Sequence, residues 1–364
     1  MMTAWIRSGM LAAGLIGFIS SGSPAQEPSA YFYHGYDYGS EATFNPLSIV
    51  INGGYGIFQL GQRDRRLAAV DYRTGWRNVW DNITHPWRSI SAYGWENFIR
   101  TEILPTTLAP RSSQYLPNYQ NHLIGGGMTY RAFVEWFRWH EFPKPKLWAL
   151  LSLTAYHTLN EIVENNRYRG VNVDPIADML IFNPLGVLLF SSDRVARFFG
   201  ETLHLRDWSF FPTINPALGT LENNGQNFAI KIRLGRRTPW HLFYQFGLNG
   251  ILGLSYQRAD GSSLSFGAGL LARNLRRVTR DDGIRHLTVD LVWNVGVFYD
   301  RNGSLMASVM ASGGRSYRFR ATVYPGVVRI AGMKPAMFIA VGQRGEVIWG
   351  VSLPFLPVGV AMRW

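Results

Sequence analysis

From about residue 226 to the C terminus, apolar and polar side chains alternate with a period of two, row after row. Successive side chains of a strand point to opposite faces, so this pattern specifies β-strands with one apolar face and excludes helix over the same stretch. In the first row Phe228, Ile230, Ile232 and Leu234 share one face, and Ala229, Lys231 and Arg233 the other. Further apolar rows run through Leu242, Tyr244, Phe246 and Leu248; Leu252, Leu254 and Tyr256; Leu264, Phe266 and Ala268; and Leu287 to Tyr299 at every second residue. Leu305, Ala307 and Val309 form the next, followed by Tyr317, Phe319, Ala321 and Val323. Turn-forming residues separate them at Asp260-Gly261, Asn302-Gly303, Gly313-Gly314 and Gln343-Arg344-Gly345. The rows suit tilted membrane strands of about 9–11 residues. Their second face carries Arg, Lys, Asp and Gly, as the lumen of a closed barrel does, because backbone facing lipid must be fully paired. The expectation is mainly β with an α-helical N-terminal part: an antiparallel transmembrane β-barrel of about 10–12 strands over 226–364. A further strand is expected within Leu47–Leu60.

Composition agrees. Hydrophobic residues make up 47% and charged residues only 16% of the 364, with 13 Trp, 17 Tyr and 22 Phe. A soluble domain carries about 25% charge. Mean hydropathy is nonetheless −0.05, which favours alternating strands over a stack of membrane helices. The absence of cysteine excludes disulfides, thiolate metal sites, thiol nucleophiles and a lipoprotein anchor. Residues 1–25 read as a cleaved secretory signal: Arg7, an apolar run from Met10 to Ile19, and Ser23-Pro24-Ala25 before the cut. Arg7 is the one charged residue there, so its removal lowers the net charge from +12 to +11. In an exported chain that balance points to anionic lipid headgroups, not nucleic acid.

Residues 26–74 read as an extended tail with the possible first strand, and 75–220 as a helical domain. Helical spacing runs over Trp87–Leu104, His122–Phe142, Lys146–Asn165 and Pro175–Phe190, the last with a kink at Asn183-Pro184. Leu147–Tyr156 is apolar all round but about ten residues long, too short to span a bilayer and suited to burial. His157, Glu161 and Glu164 then fall at i, i+4 and i+7 on one helix face, and Asp174 and Asp178 at i, i+4 on the next. Charges on apolar helices need partners, so a polar cluster of His157, Glu161, Glu164, Arg167 or Arg169, and Asp178 is expected between two helices. Three readings fit it: a structural ion-pair network, a metal site of His and carboxylates, or an acid/base site acting on lipid or glycan. No zincin, nucleophile-elbow, Walker or dinucleotide motif is present, and no metal or cofactor is expected. Gly125-Gly126-Gly127 suits a close approach of helices.

Several short motifs carry a resemblance. Asn121-His122-Leu-Ile-Gly-Gly126, Met128-Thr-Tyr130-Arg131, Asn160-Glu161-Ile-Val-Glu164-Asn165 and Asp178 through Asn183-Pro184-Leu-Gly186 resemble an uncharacterised, domain-of-unknown-function family of Gram-negative envelope proteins. The portion from Asn160 to Gly186 is also similar to VanZ-like membrane proteins, with Glu164, Arg169, Asp178 and Asn183 in the matching places. The resemblance spans about residues 80–190. It implies an outer-membrane location without an established activity, and adds His122, Arg131, Arg169 and Asn183 to the polar cluster. The last row, Leu356 to Trp364, resembles the terminal strand of Gram-negative outer-membrane proteins, which the barrel-assembly machinery recognises. The expected protein is an integral outer-membrane barrel with its helices at or inside the periplasmic end, and with outer-membrane lipid or lipopolysaccharide as partner. Its polar cluster acts structurally or in lipid binding. One alternative is an enzyme on lipid or lipopolysaccharide, with Glu161 or Glu164 as base, His157 as its partner and Asp178 as orienter. The other is an anion-preferring channel using Arg233, Arg318 and Arg320.

Overall fold

A computed structural model describes residues 30–61, 63–106, 114–167, 171–279, 285–314, 317–342 and 345–364, with 275–279 and 285–288 as backbone only. The expected signal segment and Arg169 lie outside the described residues.

The alternating rows form strands of one thirteen-stranded sheet. These are β1 Arg206–Asp207, β2 Thr213–Asn215, β3 Thr220–Glu222, β4 Phe228–Arg233, β5 Trp240–Phe246, β6 Asn249–Gln257, β7 Ser262–Thr279, β8 Arg285–Arg301, β9 Ser304–Ser312, β10 Phe319–Val323, β11 Ala336–Val341, β12 Val347–Ser352 and β13 Gly359–Arg363. From β4 to β13 each strand pairs with the next in antiparallel fashion. β1 adds to the β4 edge, and β2 joins β13 in parallel and carries β3. Turn chemistry fixes the register: Asn302 and Gly303 both take positive φ, 52° and 83°, as the two-residue β8–β9 hairpin requires.

The sheet is strongly curved. β1 and β2 belong to opposite ends of it, yet only residues 208–212 join them, a link that reaches at most about 20 Å. Laid flat, the eleven strand spacings between them would measure about 50 Å. Contacts across the concave face agree. Phe243 of β5 and Phe298 of β8 have ring centroids 5.4 Å apart, although three strand spacings separate them. The Lys231 ammonium of β4 bonds Asp300 of β8 directly. Trp208, Phe211 and Tyr324 fill the concavity with these rings.

The two faces are opposite in character. The concave face buries Ser255, Ser265, Asn294, Ser308 and Thr322 beside the aromatic cluster. The convex face leaves Leu252, Leu270, Trp293, Val297, Ile339 and Trp349 exposed, several to about half their area. An exposed apolar convex face, with polar side chains buried on the concave one, inverts the usual arrangement.

Five helices frame the polar cluster and its surroundings: α1 Pro46–Gly54, α2 Tyr72–Thr84, α3 Pro86–Tyr93, α4 Gly127–Trp139 and α5 Pro145–Glu164; a sixth, α6 Asn183–Phe190, closes the group. The strand expected within Leu47–Leu60 is instead α1 and a short 3-10 turn. Pro46 starts it, the Asn45 side chain caps the Ser48 N–H, and Gly53 and Gly54 let it lie against Tyr156 and Leu159 of α5. The expected extended tail is packed, not free. Tyr31, Phe32 and Tyr33 are buried in the helical core, and Glu135 accepts the Phe32 and Tyr33 N–H groups at 2.8 and 2.9 Å.

The helical part meets the sheet through Phe228 and Phe246, with Ile230 and Tyr244 beside them. These are the convex-face residues of β4 and β5, because their neighbours Ala229 and Phe243 belong to the concave core. These contacts are on the convex side of β4 and β5; a second set joins the segment after α1 to β3 and β7, where Leu60 packs on Leu221 and the Gly61 N–H donates to the Arg273 carbonyl. The expectation placed the helices at or inside the end of the barrel. Among the described residues no single helix is long and apolar enough to cross a membrane.

Candidate functional site

Two π-helical segments carry the centre of the polar cluster. Asn118–Gly126 leads into α4 and holds His122; Asp178–Phe182 leads into α6 and holds Asp178. The wider turn of a π-segment rotates side chains off the regular helical stripe, and such segments gather at functional sites. Glycine brings the two together. A Cβ on Gly186 would stand 2.7 Å from the Leu123 carbonyl oxygen and 3.1 Å from the Gly127 nitrogen, so the glycines serve the close approach read from the triplet.

His122 Nε2 stands 3.1 Å from Asp178 Oδ2, and His122 Nδ1 stands 3.1 Å from Asn183 Oδ1. The amide oxygen takes the Nδ1–H, which leaves Nε2 to share a proton with the carboxyl. Burial lowers the His122 pKa to about 4 and pushes Asp178 well up, with Asp174, Glu161 and Glu102 adding to the latter. Both shifts favour uncharged partners: Asp178 donates to a neutral ring. Glu161 is buried behind this pair, accepting from Asn165 Nδ2 at 3.2 Å, and burial raises its pKa as well. Oxygens of Glu161, Asp174 and Asp178 lie within 4.8 Å of one another, a spacing that a hard cation's ligands or carboxyls sharing a proton adopt.

His157 sits one turn before Glu161, stacked on Tyr156 at 4.2 Å and 5.1 Å from the His122 ring. Neither of its nitrogens has a hydrogen-bond partner among the described residues, and burial lowers its pKa. Asn121 Oδ1 is similarly without a donor, whereas the Asp178 carboxyl hydrogen-bonds Glu161.

The structure brings His122, His157, Glu161, Asp178 and Asn183 together. Arg131 is elsewhere: it bonds Glu135 at 2.9 Å and Asp193 at 2.7 Å, holding α4 to the turn after α6. Arg167 is exposed, and electrostatically it faces Asp64. Asp174, named in the sequence only for its spacing, proves central. Glu102 was missed altogether. It is buried, bonded by Thr101 and by the Asn118 amide, and its pKa rises to about 7 through burial. Its place in a segment of plain amphipathic spacing gave no signal.

His122, Glu164, Asp174 and Asp178 open onto a cavity of about 530 Å³. Asn118, Asn121, Tyr156 and Asn160 extend this polar wall, while Leu252, Leu270, Val289 and Leu291 of the convex sheet face form the opposite, apolar wall. The volume falls within the range that holds small-molecule ligands. His157 and Glu161 stand behind the wall, not on it. Chemically the site offers one proton on the His122–Asp178 pair, facing a space that is polar on one side and apolar on the other. Comparison with protein-family models, with curated proteins and with solved structures returned no match.

Proposed function

We propose that the chain is an integral outer-membrane β-barrel protein that holds one amphiphilic molecule between its helices and the outer wall of the barrel. The observation that carries this is the two-sided cavity, whose apolar wall is continuous with the exposed belt of the convex face. The curved sheet closes as a barrel, the belt meets lipid, and residues 1–25 are the export signal. The strand ending at Trp364, whose backbone pairs both ways with Val347, is the element offered to the barrel-assembly machinery. The amphiphile's polar end rests near His122 and Asp178 and its chains along Leu252, Leu270 and Leu291. Purification from outer membranes followed by mass spectrometry of bound lipid tests the reading. A bound lipid that Leu270→Trp displaces supports it, and recovery of the protein in the soluble periplasmic fraction refutes it.

A second reading, favoured by the proton-sharing pair on the cavity wall, is acid–base chemistry on the bound headgroup. The proton that Asp178 shares with His122 would pass to a headgroup oxygen, and the carboxylate left behind would take one back from the attacking hydroxyl or water. In this reading Asp178 and His122 are the groups in reach, and Glu161 and His157 act by positioning. His122→Ala and Asp178→Asn variants that fold, bind lipid and still modify it would exclude the reading.

A further inference from the structure

We infer that the headgroup held in this cavity carries a protonated amine, as an ethanolamine phospholipid does, and not a net negative charge. This rests on the amphiphile reading above and deepens it. The described residues lining the cavity include the carboxyl groups of Glu164, Asp174 and Asp178 but no lysine or arginine. An anionic headgroup at that wall would meet acidic groups with no cation to pair it, which burial makes costly. The second observation concerns hydrogen-bond supply. Asp178 is 4% exposed, its Oδ2 is engaged by His122, and its carboxyl also hydrogen-bonds Glu161. Asn121 sends its amide N–H to the Gly247 carbonyl, and its Oδ1 has no donor. The unsatisfied side-chain atom on this wall is an acceptor, so the missing ligand is a donor. A primary ammonium brings three N–H donors and a positive charge. A quaternary ammonium has the charge without the donors and leaves that oxygen unpaired.

The full-length protein in nanodiscs, supplied with equal amounts of phosphatidylethanolamine, phosphatidylcholine and phosphatidylglycerol of identical chains, then delipidated and read by native mass spectrometry, tests this. Ethanolamine lipid should be retained about tenfold over each competitor, the effect of satisfying a buried acceptor. Asn121→Leu, which removes that acceptor away from the buried centre, should reduce that ratio severalfold without loss of folding, and Asp178→Asn should reduce it further. Leu270→Trp should lower retention of all three alike. Equal retention of phosphatidylglycerol overturns the amine and leaves the amphiphile pocket standing. If no lipid is retained and Leu270→Trp has no effect, the pocket itself fails and takes the inference with it. Thermal stabilisation by calcium or magnesium alone, with lipid selection abolished by EDTA, would assign the carboxylates to a metal ion and overturn the amine.

Discussion

Lys231 and Asp300 offer the sharpest test of the rolled sheet. Both are buried on its concave face, and their charged ends bond directly. They belong to β4 and β8, which four strand spacings separate, about 19 Å in a flat sheet. At that distance and a working dielectric near 20 the pair would be worth under about 1 kcal/mol. In contact and buried, loss of either partner strands the other, at about 3–5 kcal/mol. Two features place Asp300→Asn and Lys231→Met toward the lower end. Arg206 lies within electrostatic reach of Asp300, and the Gly303 N–H still donates to it. Methionine also keeps the chain beneath the Trp208 ring, which lies 5.2 Å from the lysine nitrogen. The double variant removes both charges and replaces one by an apolar chain, so it should be far milder than the sum of the singles. The expected coupling is about 3 kcal/mol, read from urea unfolding of the refolded protein in detergent by tryptophan fluorescence and by heat-modifiable gel mobility. Additive single effects would refute the contact, and with it the curvature that brings β4 to β8.

The same geometry sets three further outcomes. Val297→Lys places a charge mid-strand on the convex face; in a bilayer it should cost about 2–4 kcal/mol, whereas a cost near zero in lipid vesicles would show that this face meets water. Gly186→Ala drives a methyl group against the Leu123 and His122 carbonyls, at 2.7 and 3.1 Å. It should cost about 1–3 kcal/mol in a thermal melt and part His122 from Asn183, seen as a shifted imidazole NMR signal. Glu102 is raised from 4.5 to about 7, so its contribution is complete below pH 4.5 and is lost as pH rises through about 7. Wild-type stability should therefore fall by up to about 3 kcal/mol across that window, and Glu102→Gln should flatten the profile; an unchanged profile would show that Glu102 stays exposed or paired.

The strands were legible from the period of two, and the apolar rows from Phe228 onward mostly land on the convex face; Leu305, beyond the bulge at Tyr299/Asp300, and Tyr317 turn to the concave cluster instead. The segment 46–54 shows where the same rule misleads. Leu47, Ile49 and Ile51 alternate, but Pro46, the Asn45 cap and the Gly53-Gly54 contact with α5 decide for helix. Tyr72–Thr84 had no reading as a helix, the stretch 87–104 breaks at Gly94, and no sharp bend marks Asn183-Pro184: Asp174–Phe190 runs on, and the chain turns by 85° only after Phe190. The helices over 127–139 and 145–164 were readable from spacing. The π-helical departures were not. A π-turn at 118–126 or 178–182 has no compositional mark, yet it aims His122 at Asp178. For the same reason helical spacing placed His157, Glu161 and Glu164 on one stripe but could not rank them. Packing buries the first two and turns Glu164 to the cavity. Arg131 enters the expected cluster through a motif match; its ion pairs with Glu135 and Asp193 turn it away from His122 and Asp178.

The position of the cavity is set by where helical cover ends. On β4 and β5 the convex-face residues Phe228 and Phe246 are 2% and 1% exposed, because helices sit on them. On β6, β7 and β8 their counterparts Leu252, Leu270 and Leu291 are 57%, 52% and 41% exposed. The cavity straddles that step, with Tyr244 of β5 on one side, tied to Gln120 at 2.9 Å, and Leu252 on the other. A cleft at the edge of such cover lies along the convex face of the sheet. If the sheet is the outer-membrane barrel proposed above, aqueous solutes would have to cross the apolar face to enter the cavity, whereas a lipid beside the barrel would enter chain-first along it. Under that proposal the carboxyl groups and the proton-sharing histidine would stand at the end of a path that selects for amphiphiles before any headgroup contact is made. The anion channel expected as an alternative has the opposite requirement. The concave face it would need holds Arg320 against the Tyr317 and Phe210 rings, beside a cluster that includes Trp208 and Phe211.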